Sequence, residues 1–376
     1  MRSRGKGGAP LDLLLITWNF PPKVGGMENL MSSLYDHLRH ETQVVVIAPF
    51  DCASEKNRGI YRPPIPGFVF FCMYSLVEGL RICLKRKPRA VLGGSLVVVP
   101  ILAAMRLFCS VRSFAYAHGL DVIYSNPLYQ WLLRKCVPGL TGIVCNSNNT
   151  MRLMEQRFPK SLLRVIPPGV EVGHYARPRA PCMDGRYLLF VGRLTERKGL
   201  IPFIQNCFVK IAEELEDVQF VVVGSDPKDA MAHQSGYRKR VTACLREQGL
   251  ANRVVLMGSV PEETLISLYQ HCEALVLPVV AVEGDVEGFG IVAIEAWAAG
   301  RPVVAFDEGG VSDAVLHDET GILVPTGHYE AMAEALMSIL EQQRSFGAPV
   351  RSNFEGKYAW ATLVGQYKQF LFTAAL

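Results

Sequence analysis

The fold is decided most clearly by the stretch ALVLPVVAVEGDVEGFGIVAIEAWAAGRPVVA, residues 274–305. Its first four residues form a short apolar run typical of a buried strand, and the alanine-rich segment after Gly290 has the composition of a helix. Gly300 ends that segment, and a second apolar run begins at Pro302. Strand, helix and strand in this order predict a βαβ unit with two parallel strands in one sheet.

The same alternation of apolar runs and helix-period segments extends over most of the 376 residues. Strands that are apolar throughout indicate parallel sheets covered by helices on both faces. We therefore predict an α/β protein with two Rossmann-like, doubly wound domains facing a cleft, with ligands at the carboxyl ends of the strands. The predicted strands are Leu11–Thr17, Gln43–Ala48, Ala90–Leu92, Ser113–Ala117, Gly142–Cys145 and Arg164–Ile166 in the first domain, and Tyr187–Val191, Phe220–Val223, Val254–Met257, Ala274–Leu277, Pro302–Ala305 and Gly321–Val324 in the second.

The segment Pro167–Pro181, with four prolines and two glycines, predicts a linker between the domains. The first domain is expected to span residues 1–172 and the second residues 173–351, since 376 residues exceed one compact core. A long aromatic-rich helix is predicted over Glu355–Phe372, and residues 352–376 are expected to return to the first domain.

Charge is divided unevenly beneath a net charge of +4. Residues 1–172 hold 21 Lys and Arg against 10 Asp and Glu, whereas the remaining residues hold 18 against 25. The basic residues of Arg81–Arg89 lie beside the apolar segment Phe68–Leu84, which suggests an anionic membrane surface as a partner. The competing interpretation is a solvated helix end.

Composition disfavours several classes of protein. The ten cysteines form no CxxC pair, which argues against zinc sites and disulfide scaffolds. The longest apolar run, Ala90–Met105, contains two glycines and a proline and is shorter than the ~20 residues that cross a bilayer. Met1–Pro10 is a basic, glycine-rich tail rather than a secretory signal. We expect a cytoplasmic protein, and no nucleic-acid-binding module is recognisable.

Two motifs follow strands of the first domain. Gly25 and Gly26 open an amphipathic helix, so that free backbone amides can meet an anion; a tight packing turn is the alternative. His118 stands at the carboxyl end of a strand, before Gly119, and is placed to face a ligand. A structural histidine is the alternative there.

A third motif, Gly192-Arg-Leu-Thr-Glu-Arg-Lys-Gly199, follows the first strand of the second domain. Arg193 and Lys198 would suit a diphosphate, because two fixed cations neutralise the charge that grows as a phosphate leaves. A solvated basic loop is the alternative. Of the two arginines in this motif, we expect Arg197 to be the one at the surface and Arg193, nearest the strand, to be the site residue.

The fourth motif is the most specific, with Glu287 before a Gly-Phe-Gly turn and Glu295 in the following helix. The amides of Gly288–Gly290 suit phosphate, and the two carboxylates suit hydroxyl groups, which points to a sugar and a ribose. A calcium loop is disfavoured because its twelfth position is Ile294 rather than a carboxylate. A Mg²⁺-diphosphate interpretation that starts at Asp285 is weakened by the available cations.

These residues resemble a known family. Glu287 and Glu295, with EGFG at 287–290 and EAWAAGRPVV at 295–304, resemble the Glu-x7-Glu signature of retaining GT-B glycosyltransferases. Pro22–Glu28 is similar to the glycine loop of that family, the histidine and Arg/Lys motifs also match, and the Trp360 helix resembles its crossover helix. The resemblance covers nearly the whole chain and is closest to glycosyltransferase family 4 (glycosyl transferases group 1).

The resemblance implies a role for each matched residue. His118, Arg193, Lys198 and Glu287 would form the catalytic set. Arg193 and Lys198 would hold the donor diphosphate, which Gly25 and Gly26 would approach from the other domain. His118 would contact the transferred sugar, and the sugar and phosphate would meet Glu287 and the amides of Gly288, Phe289, Gly290 and Ile291. Glu295 would bind the ribose, and the loop Gly258–Val260 would bind the base.

The sequence departs from the family at two places, PPGVE (167–171) and GGVSD (309–313), which leaves the role of Glu171 and the contacts of Asp313 open.

The implied activity is a retaining, metal-independent transfer of a hexosyl unit, with no cofactor. The donor would be a UDP- or GDP-sugar, and the acceptor a glycan, a lipid-linked or a small molecule, in the synthesis of envelope polysaccharide or glycolipid. A non-catalytic nucleotide-sugar-binding protein of the same fold is the alternative. A dinucleotide oxidoreductase is disfavoured because no GxGxxG follows the first strand.

Overall fold

The computed structural model describes residues 11–23, 25–52, 59–227, 236–342, 346 and 351–373. The chain divides into two compact units, one formed by residues 1–169 and 360–376 and the other by residues 170–359. The boundaries expected from the sequence, after residues 172 and 351, are near these divisions but do not coincide with them. The expected tail Met1–Pro10 and Val24 of the glycine loop lie outside the described residues.

The first unit contains a seven-stranded parallel sheet with the order β3-β2-β1-β4-β5-β6-β7. Its inner strand β1 pairs with β2 and β4, in a register that places Leu13 opposite Val44 and Ala90. The strands are β1 Leu13–Ile16, β2 Val44–Ile47, β3 Ile60–Tyr61, β4 Ala90–Gly93, β5 Arg112–Ala117, β6 Gly142–Cys145 and β7 Leu163–Val165. The two-residue edge strand β3 was not predicted, because it is too short to show a period.

Helices connect these strands, and the sequence-predicted helix near residue 26 is confirmed. The helices of the first part of the chain are α1 Gly26–Glu41, α2 Phe68–Arg86, α3 Val99–Arg106, α4 Leu120–Ile123, α5 Pro127–Cys136 and α6 Asn148–Glu155, with 3₁₀ turns at Leu96–Val98, Val137–Gly139 and Lys160–Leu162.

The second unit contains a six-stranded parallel sheet with the order β10-β9-β8-β11-β12-β13. Leu188 and Phe190 of β8 enter one hydrophobic cluster and Tyr187 and Leu189 enter another, so the strand is buried on both faces. The strands are β8 Arg186–Val191, β9 Val218–Val223, β10 Val254–Gly258, β11 Ala274–Leu277, β12 Val303–Phe306 and β13 Gly321–Val324. All six strands expected in this part of the chain are confirmed.

The helices of this unit are α7 Val172–Ala176, α8 Leu200–Phe203, α9 Val209–Glu214, α10 Tyr237–Glu247, α11 Glu262–His271, α12 Ile291–Ala298, α13 Val311–Ala314, α14 Tyr329–Leu340 and α15 Arg351–Tyr358, with a 3₁₀ turn at Glu196–Lys198 and a π-helical turn at Ile204–Phe208. The predicted linker therefore contains a short helix, α7. No helix within the described ranges is both long and apolar enough to cross a membrane.

The C-terminal segment differs from the single helix predicted over Glu355–Phe372. It forms α15 and α16 (Trp360–Lys368), followed by a π-helical turn at Gln369–Thr373. Ala359 separates the two helices because it forms an isolated parallel bridge with Val170. The helix α16 belongs to the first unit and packs on α1. Its Trp360 ring stacks on the His37 ring at a centroid distance of 5.0 Å. The expected return to the first unit is confirmed from residue 360 on, whereas residues 352–359 belong to the second unit.

Candidate active site

The carboxyl edge of the second sheet, where all its parallel strands end, collects the charged residues of two predicted motifs. Strands β8 and β11 are neighbours in the sheet. The 3₁₀ turn after β8 carries Arg197 and Lys198, and the loop after β11 carries Asp285 and Glu287. Neighbouring parallel strands bring their following loops together, and here they bring two cations to two carboxylates.

The two loops are held in register by backbone contacts. The amide of Val280 donates to the carbonyl oxygen of Arg197 at 2.9 Å. Gly199 adopts a φ of +65°, and a Cβ at this position would lie 1.8 Å from the carbonyl oxygen of Pro278. Only glycine fits this close approach, and the approach fixes where the adjacent cations lie.

The four charged side chains form one compact ion cluster, which we call the β8–β11 ion cluster. Lys198 Nζ lies 2.6 Å from Glu287 Oε2, and Arg197 Nη1 contacts the same oxygen. Arg197 Nε lies 2.9 Å from Asp285 Oδ1. The side chains of Arg197 and Lys198 are only 6% and 10% exposed. Two partly buried carboxylates thus compensate two buried cations, which avoids the cost of an unpaired buried charge.

The expectation that Arg197 would be more superficial than Arg193 is wrong. Arg193 is exposed, whereas Arg197 is buried. The 3₁₀ turn reverses the chain after Thr195 and directs Arg197 toward the loop after β11. Arg197 is therefore a site residue that the sequence did not assign.

The electrostatics of the β8–β11 ion cluster favour a charged Glu287. Burial alone would raise the pKa of Glu287, but the ammonium of Lys198 and the guanidinium of Arg197 hold this pKa at about 2. The carboxylate is consequently ionised at neutral pH and occupies Lys198, one of the two cations that were expected to meet a diphosphate.

The backbone around Glu287 is supported by the Gly-Gly pair at 309–310. The amide of Gly310 donates to the carbonyl oxygen of Glu287 at 2.8 Å. A Cβ at Gly310 would lie 2.1 Å from the carbonyl oxygen of Gly288, so glycine is needed for this contact. Asp313, whose contacts were left open, accepts a hydrogen bond from the Tyr358 hydroxyl through its backbone carbonyl.

The Gly-Phe-Gly turn leads directly into α12. Gly290 precedes the helix, Ile291 is its first residue, and the Phe289 side chain is buried. Glu295 lies one turn inside this helix, where the Tyr269 hydroxyl donates to its Oε2 at 2.9 Å. Tyr175 also hydrogen-bonds to this carboxyl group. Burial raises the pKa of Glu295, and the two tyrosine hydroxyls offset part of that effect.

Neither tyrosine partner of Glu295 was identified from the sequence. Tyr269 lies in α11 and has the appearance of a core residue, while Tyr175 lies in α7, inside the segment interpreted as a linker. The hydroxyl group at the end of an otherwise buried ring is the signal that was available, because buried tyrosine hydroxyls need partners.

The loop expected to meet the base also lies at this carboxyl edge. Gly258 ends β10, and its carbonyl oxygen accepts the amide of Gly224, which follows β9, at 2.8 Å. The hydroxyls of Ser225 and Ser259 lie 3.2 Å apart. Val260 is half-buried beside them. Backbone groups and small polar side chains therefore line the carboxyl edge of the sheet at β9 and β10.

In the first unit, His118 follows β5 at the corresponding carboxyl edge and is buried. Its Nε2 lies 2.8 Å from the carbonyl oxygen of Gly94, which follows β4. A ring nitrogen this close to a carbonyl acts as the donor, so Nδ1 is the acceptor in the neutral ring. The ring also stacks on Tyr116 at a centroid distance of 4.6 Å.

Asp121 is a residue of this edge to which the sequence assigned no role. Its Oδ1 accepts the amides of His118 and Gly119 at 2.8 and 3.1 Å, and its Oδ2 accepts the amide of Leu96 at 3.0 Å. The carboxylate thus ties the end of β4 to the end of β5 and positions His118.

Two further polar atoms lie at the same edge. Asn146, after β6, donates from Nδ2 to the carbonyl oxygen of His118 at 3.2 Å. Its Oδ1 and the Oγ of Ser95 are buried and have no hydrogen-bond partner among the described residues. Such atoms are available to a polar ligand.

Gly25 and Gly26 begin α1, as predicted, but the first turn already contains a carboxylate. Asn19 Nδ2 donates to Glu28 Oε1 at 2.9 Å. A Cβ at Gly25 would lie 2.5 Å from Glu28 Oε2, so one reason for glycine here is the space that this carboxylate takes. The expected contact with a diphosphate stays a prediction.

Sequence relatives identify the family of this protein. Residues 24–174 match the family model described as Glycosyltransferase Family 4, and residues 185–342 match the family model described as Glycosyl transferases group 1. An uncharacterized glycosyltransferase of Methanocaldococcus jannaschii is 33% identical over 378 residues, which cover 88% of this chain and 89% of the relative. The chain belongs to glycosyltransferase family 4.

Another relative of this family 4 glycosyltransferase is named for its substrates. The GDP-mannose-dependent alpha-(1-6)-phosphatidylinositol monomannoside mannosyltransferase of Mycobacterium tuberculosis (strain ATCC 25618 / H37Rv) is 25% identical over 391 residues, covering 96% of this chain and 97% of the relative.

Solved structures confirm the predicted GT-B fold. Sucrose-phosphate synthase from Thermosynechococcus elongatus has a TM-score of 0.78 at 21% identity, covering 97% of this chain and 100% of that one. Anabaena HepE in complex with UDP and glucose has a TM-score of 0.76 at 17% identity, with the same coverage.

Proposed function

We propose that this family 4 glycosyltransferase transfers a hexosyl unit from a nucleotide-diphosphate sugar to a lipid-linked acceptor, with retained anomeric configuration and without a metal ion. The observation that carries the proposal is the β8–β11 ion cluster of Arg197, Lys198, Asp285 and Glu287, whose two carboxylates lie in the loop that leads to the start of α12. Cations beside a helix N-terminus suit a diphosphate leaving group.

The proposed donor contacts follow from this geometry. A diphosphate would compete with Glu287 for Lys198 Nζ, and the released Glu287 carboxylate would accept hydroxyl hydrogen bonds from the sugar. Arg193, exposed at the end of β8, would add a second cation to the phosphate. Glu295, held by Tyr269 and Tyr175, would accept the ribose hydroxyls. The base would lie on the backbone of Gly258–Val260.

In the first unit, His118 would contact the transferred sugar through Nδ1, because its Nε2 is already engaged with Gly94. Asp121 would hold the amides on both sides of this contact, and Gly25 and Gly26 would approach the diphosphate.

In the proposed reaction the bond between the sugar C1 and the diphosphate oxygen breaks, and the acceptor oxygen bonds to C1 on the same face. The acceptor proton passes to the leaving phosphate oxygen. Arg193, Lys198 and the α12 amides stabilise the departing dianion more than the bound donor, and this difference lowers the barrier. Asp285 and Glu287 both contact cations of the protein, which supports a scheme in which these carboxylates hold no metal ion.

GDP-mannose is the first donor to test, because the full-length mycobacterial relative is named for it. The same name includes a phosphatidylinositol monomannoside, which supports a glycolipid acceptor. With such an acceptor the enzyme would work in envelope glycolipid synthesis, at the inner face of the plasma membrane.

The proposal is tested first by thermal unfolding with GDP, UDP and ADP. A ligand at about 100 times its Kd stabilises the folded protein by roughly 2.7 kcal/mol, and we expect one of the three nucleotides to raise the Tm. No shift with any of them would contradict the proposed donor site.

The second test is release of the nucleoside diphosphate from the matching sugar nucleotide. Turnover is expected to survive EDTA, and the product is expected to keep the donor's anomeric configuration by NMR. A donor that stabilises the protein but is never turned over, with lipid extract as acceptor, would favour the binding-protein alternative. Loss of turnover in EDTA with recovery in Mg²⁺ or Mn²⁺ would contradict the metal-free scheme.

A further inference from the structure

The exposed apolar side chains of this protein are concentrated in one region. All eleven large hydrophobic residues that are exposed among the described residues lie between Ile65 and Trp131. Six of them belong to α2, and Val69 and Val77 are each 67% exposed. A soluble protein rarely exposes so many apolar side chains together unless the surface binds something.

The exposed residues of α2 follow helical spacing. Val69, Met73, Val77 and Leu84 are separated by four, four and seven residues, which places them on one face of the helix. Phe71, Ile82 and Cys83 face the core and are buried. The helix is thus apolar on a second, outward face that the core does not use, over a helix length of about 28 Å for its 19 residues.

Adjacent elements extend this face. The helix α3 packs against both α2 and α5. Leu107 and Phe108 directly follow α3, and Leu128 and Trp131 lie in α5, where each is more than half exposed. We call the exposed apolar residues of α2, of the α3 end and of α5 the apolar layer surface.

The exposed charged side chains of residues 62–136, the stretch that carries the apolar layer surface, have a single sign. Residues 62–136 contain only two acidic residues, Glu78 and Asp121, and both are buried. Glu78 pairs with Arg81, and Asp121 accepts backbone amides. The exposed basic residues of the same stretch are Arg81, Lys85, Lys87, Arg89, Arg106, Arg134 and Lys135.

We propose that the apolar layer surface lies in the headgroup region of an anionic bilayer, with its apolar side chains inserted and its basic residues at the lipid phosphates. This inference rests on the proposed function, because a membrane-bound enzyme would meet a lipid-linked acceptor at the bilayer surface. An amphipathic surface with aromatic and aliphatic side chains beside Lys and Arg is suited to the membrane interface.

A second copy of the chain fits this surface less well. A two-fold dimer would bring the same cations together across the interface, with no exposed carboxylate in residues 62–136 to compensate them. An anionic lipid surface supplies both the apolar phase and the opposite charge.

The first experiment is sedimentation of the full-length protein with vesicles of phosphatidylcholine alone or with added phosphatidylglycerol. Binding is expected to the anionic vesicles and to weaken at high salt. The apolar variant Val69→Gln/Met73→Gln/Val77→Gln keeps good helix-forming residues and is expected to bind roughly tenfold or more weakly. Equal binding of the apolar variant and the wild type would overturn the proposal.

A charge variant tests the other half of the surface. Lys85→Ser/Lys87→Ser is expected to weaken binding to anionic vesicles by roughly fivefold for each residue. The matched control Lys239→Ser/Arg246→Ser removes two exposed cations of α10 in the second unit and is expected to bind like the wild type. Equal losses in the charge variant and this control would show attraction by net charge alone and would overturn the assignment to this surface.

Fluorescence keeps the proposal testable if the triple variant does not fold. Trp131 is expected to be quenched by brominated lipid in anionic vesicles, and Trp131→Phe is expected to lose the part of the quenching that Trp131 contributes. Trp360 is buried, whereas Trp18 packs on Phe68 of α2 at a centroid distance of 5.3 Å and keeps its own part. Quenching that is unchanged in Trp131→Phe would overturn the proposal.

Two further readouts separate the membrane surface from the donor site and from a dimer interface. The apolar variant is expected to keep the nucleotide-induced Tm shift, so loss of vesicle binding with that shift intact isolates the surface from the donor site. A dimer that the apolar variant dissociates, together with no vesicle binding by the wild type, would assign the surface to a second copy instead.

Discussion

Glu287, which is partly buried, and Asp121, which is buried, are carboxylates at the carboxyl edges of two similar parallel sheets, yet their charges are compensated in different ways. Glu287 contacts the cations of Arg197 and Lys198, whereas Asp121 accepts three backbone amides. Side-chain cations can exchange a carboxylate for an anionic ligand, while amides fixed in loops cannot leave. The same architecture therefore provides an exchangeable charge site in one unit and a fixed positioning group in the other.

The largest effect is expected from Glu287→Gln. Removing one partner from a buried ion cluster leaves the other charges uncompensated, which costs about 3–5 kcal/mol of unfolding free energy. Urea unfolding measures this loss. The control Glu330→Gln removes an exposed partner of Lys210 and is expected to leave stability unchanged. Similar stability of both variants and the wild type would remove the distinction between a buried cluster and surface pairs.

Lys198→Ala tests whether the exchangeable cation serves the reaction. Loss of one preorganised contact to a developing charge lowers turnover by roughly 100- to 1,000-fold. Release of the nucleoside diphosphate measures it, and Arg246→Ala, an exposed cation of α10, serves as the matched control. Unchanged turnover in folded Lys198→Ala protein would reduce the cluster to a structural role.

The pH dependence of stability sharpens the comparison further. The pKa of Glu287 in the folded protein, about 2, lies below its ordinary value of 4.5. Its contribution is therefore complete above pH ~4.5 and is lost as the pH falls toward 2, with a total of about 3 kcal/mol. Urea unfolding of the wild type and Glu287→Gln at several pH values is expected to show a difference that shrinks across this range. A difference independent of pH would contradict the cause given for the lowered pKa.

Asp121→Asn is expected to have the smallest effect of the four. The amide group keeps one acceptor oxygen, so the amides of His118 and Gly119 can keep a partner, while the amide of Leu96 meets an NH₂ group. Loss of one hydrogen bond to a charged group costs about 1.5–3 kcal/mol. Unfolding in urea checks the stability, and a raised KM for the donor checks the displaced His118. If neither the stability nor the KM changes, Asp121 does not position the carboxyl edge of the first sheet.

Local sequence patterns predicted most of the fold because strands and helices have short periods. The βαβ unit of residues 274–305 and twelve of the strands were predicted from apolar runs, whereas β3 has only two residues and shows no pattern. The break at Ala359 was missed because it depends on a bridge to Val170, far away in the chain.

The candidate site was predicted only in part, for a similar reason. The motifs identified Lys198, Glu287 and Glu295 as a group, but not Tyr269 as the donor to Glu295. The role of Asp121 was also missed, because its partners are backbone amides that carry no signature in residue identity.

The sequence by itself determined the alternation of strands and helices, the glycosyltransferase motifs and the uneven charge of the two halves, because each is written in neighbouring residues. Only the tertiary structure decided that Arg197 rather than Arg193 turns inward. That choice depends on Glu287, 90 residues away along the chain from Arg197, and on the packing of Gly199 against Pro278. A buried charge is placed by its partners, and those partners meet only when the sheet has formed.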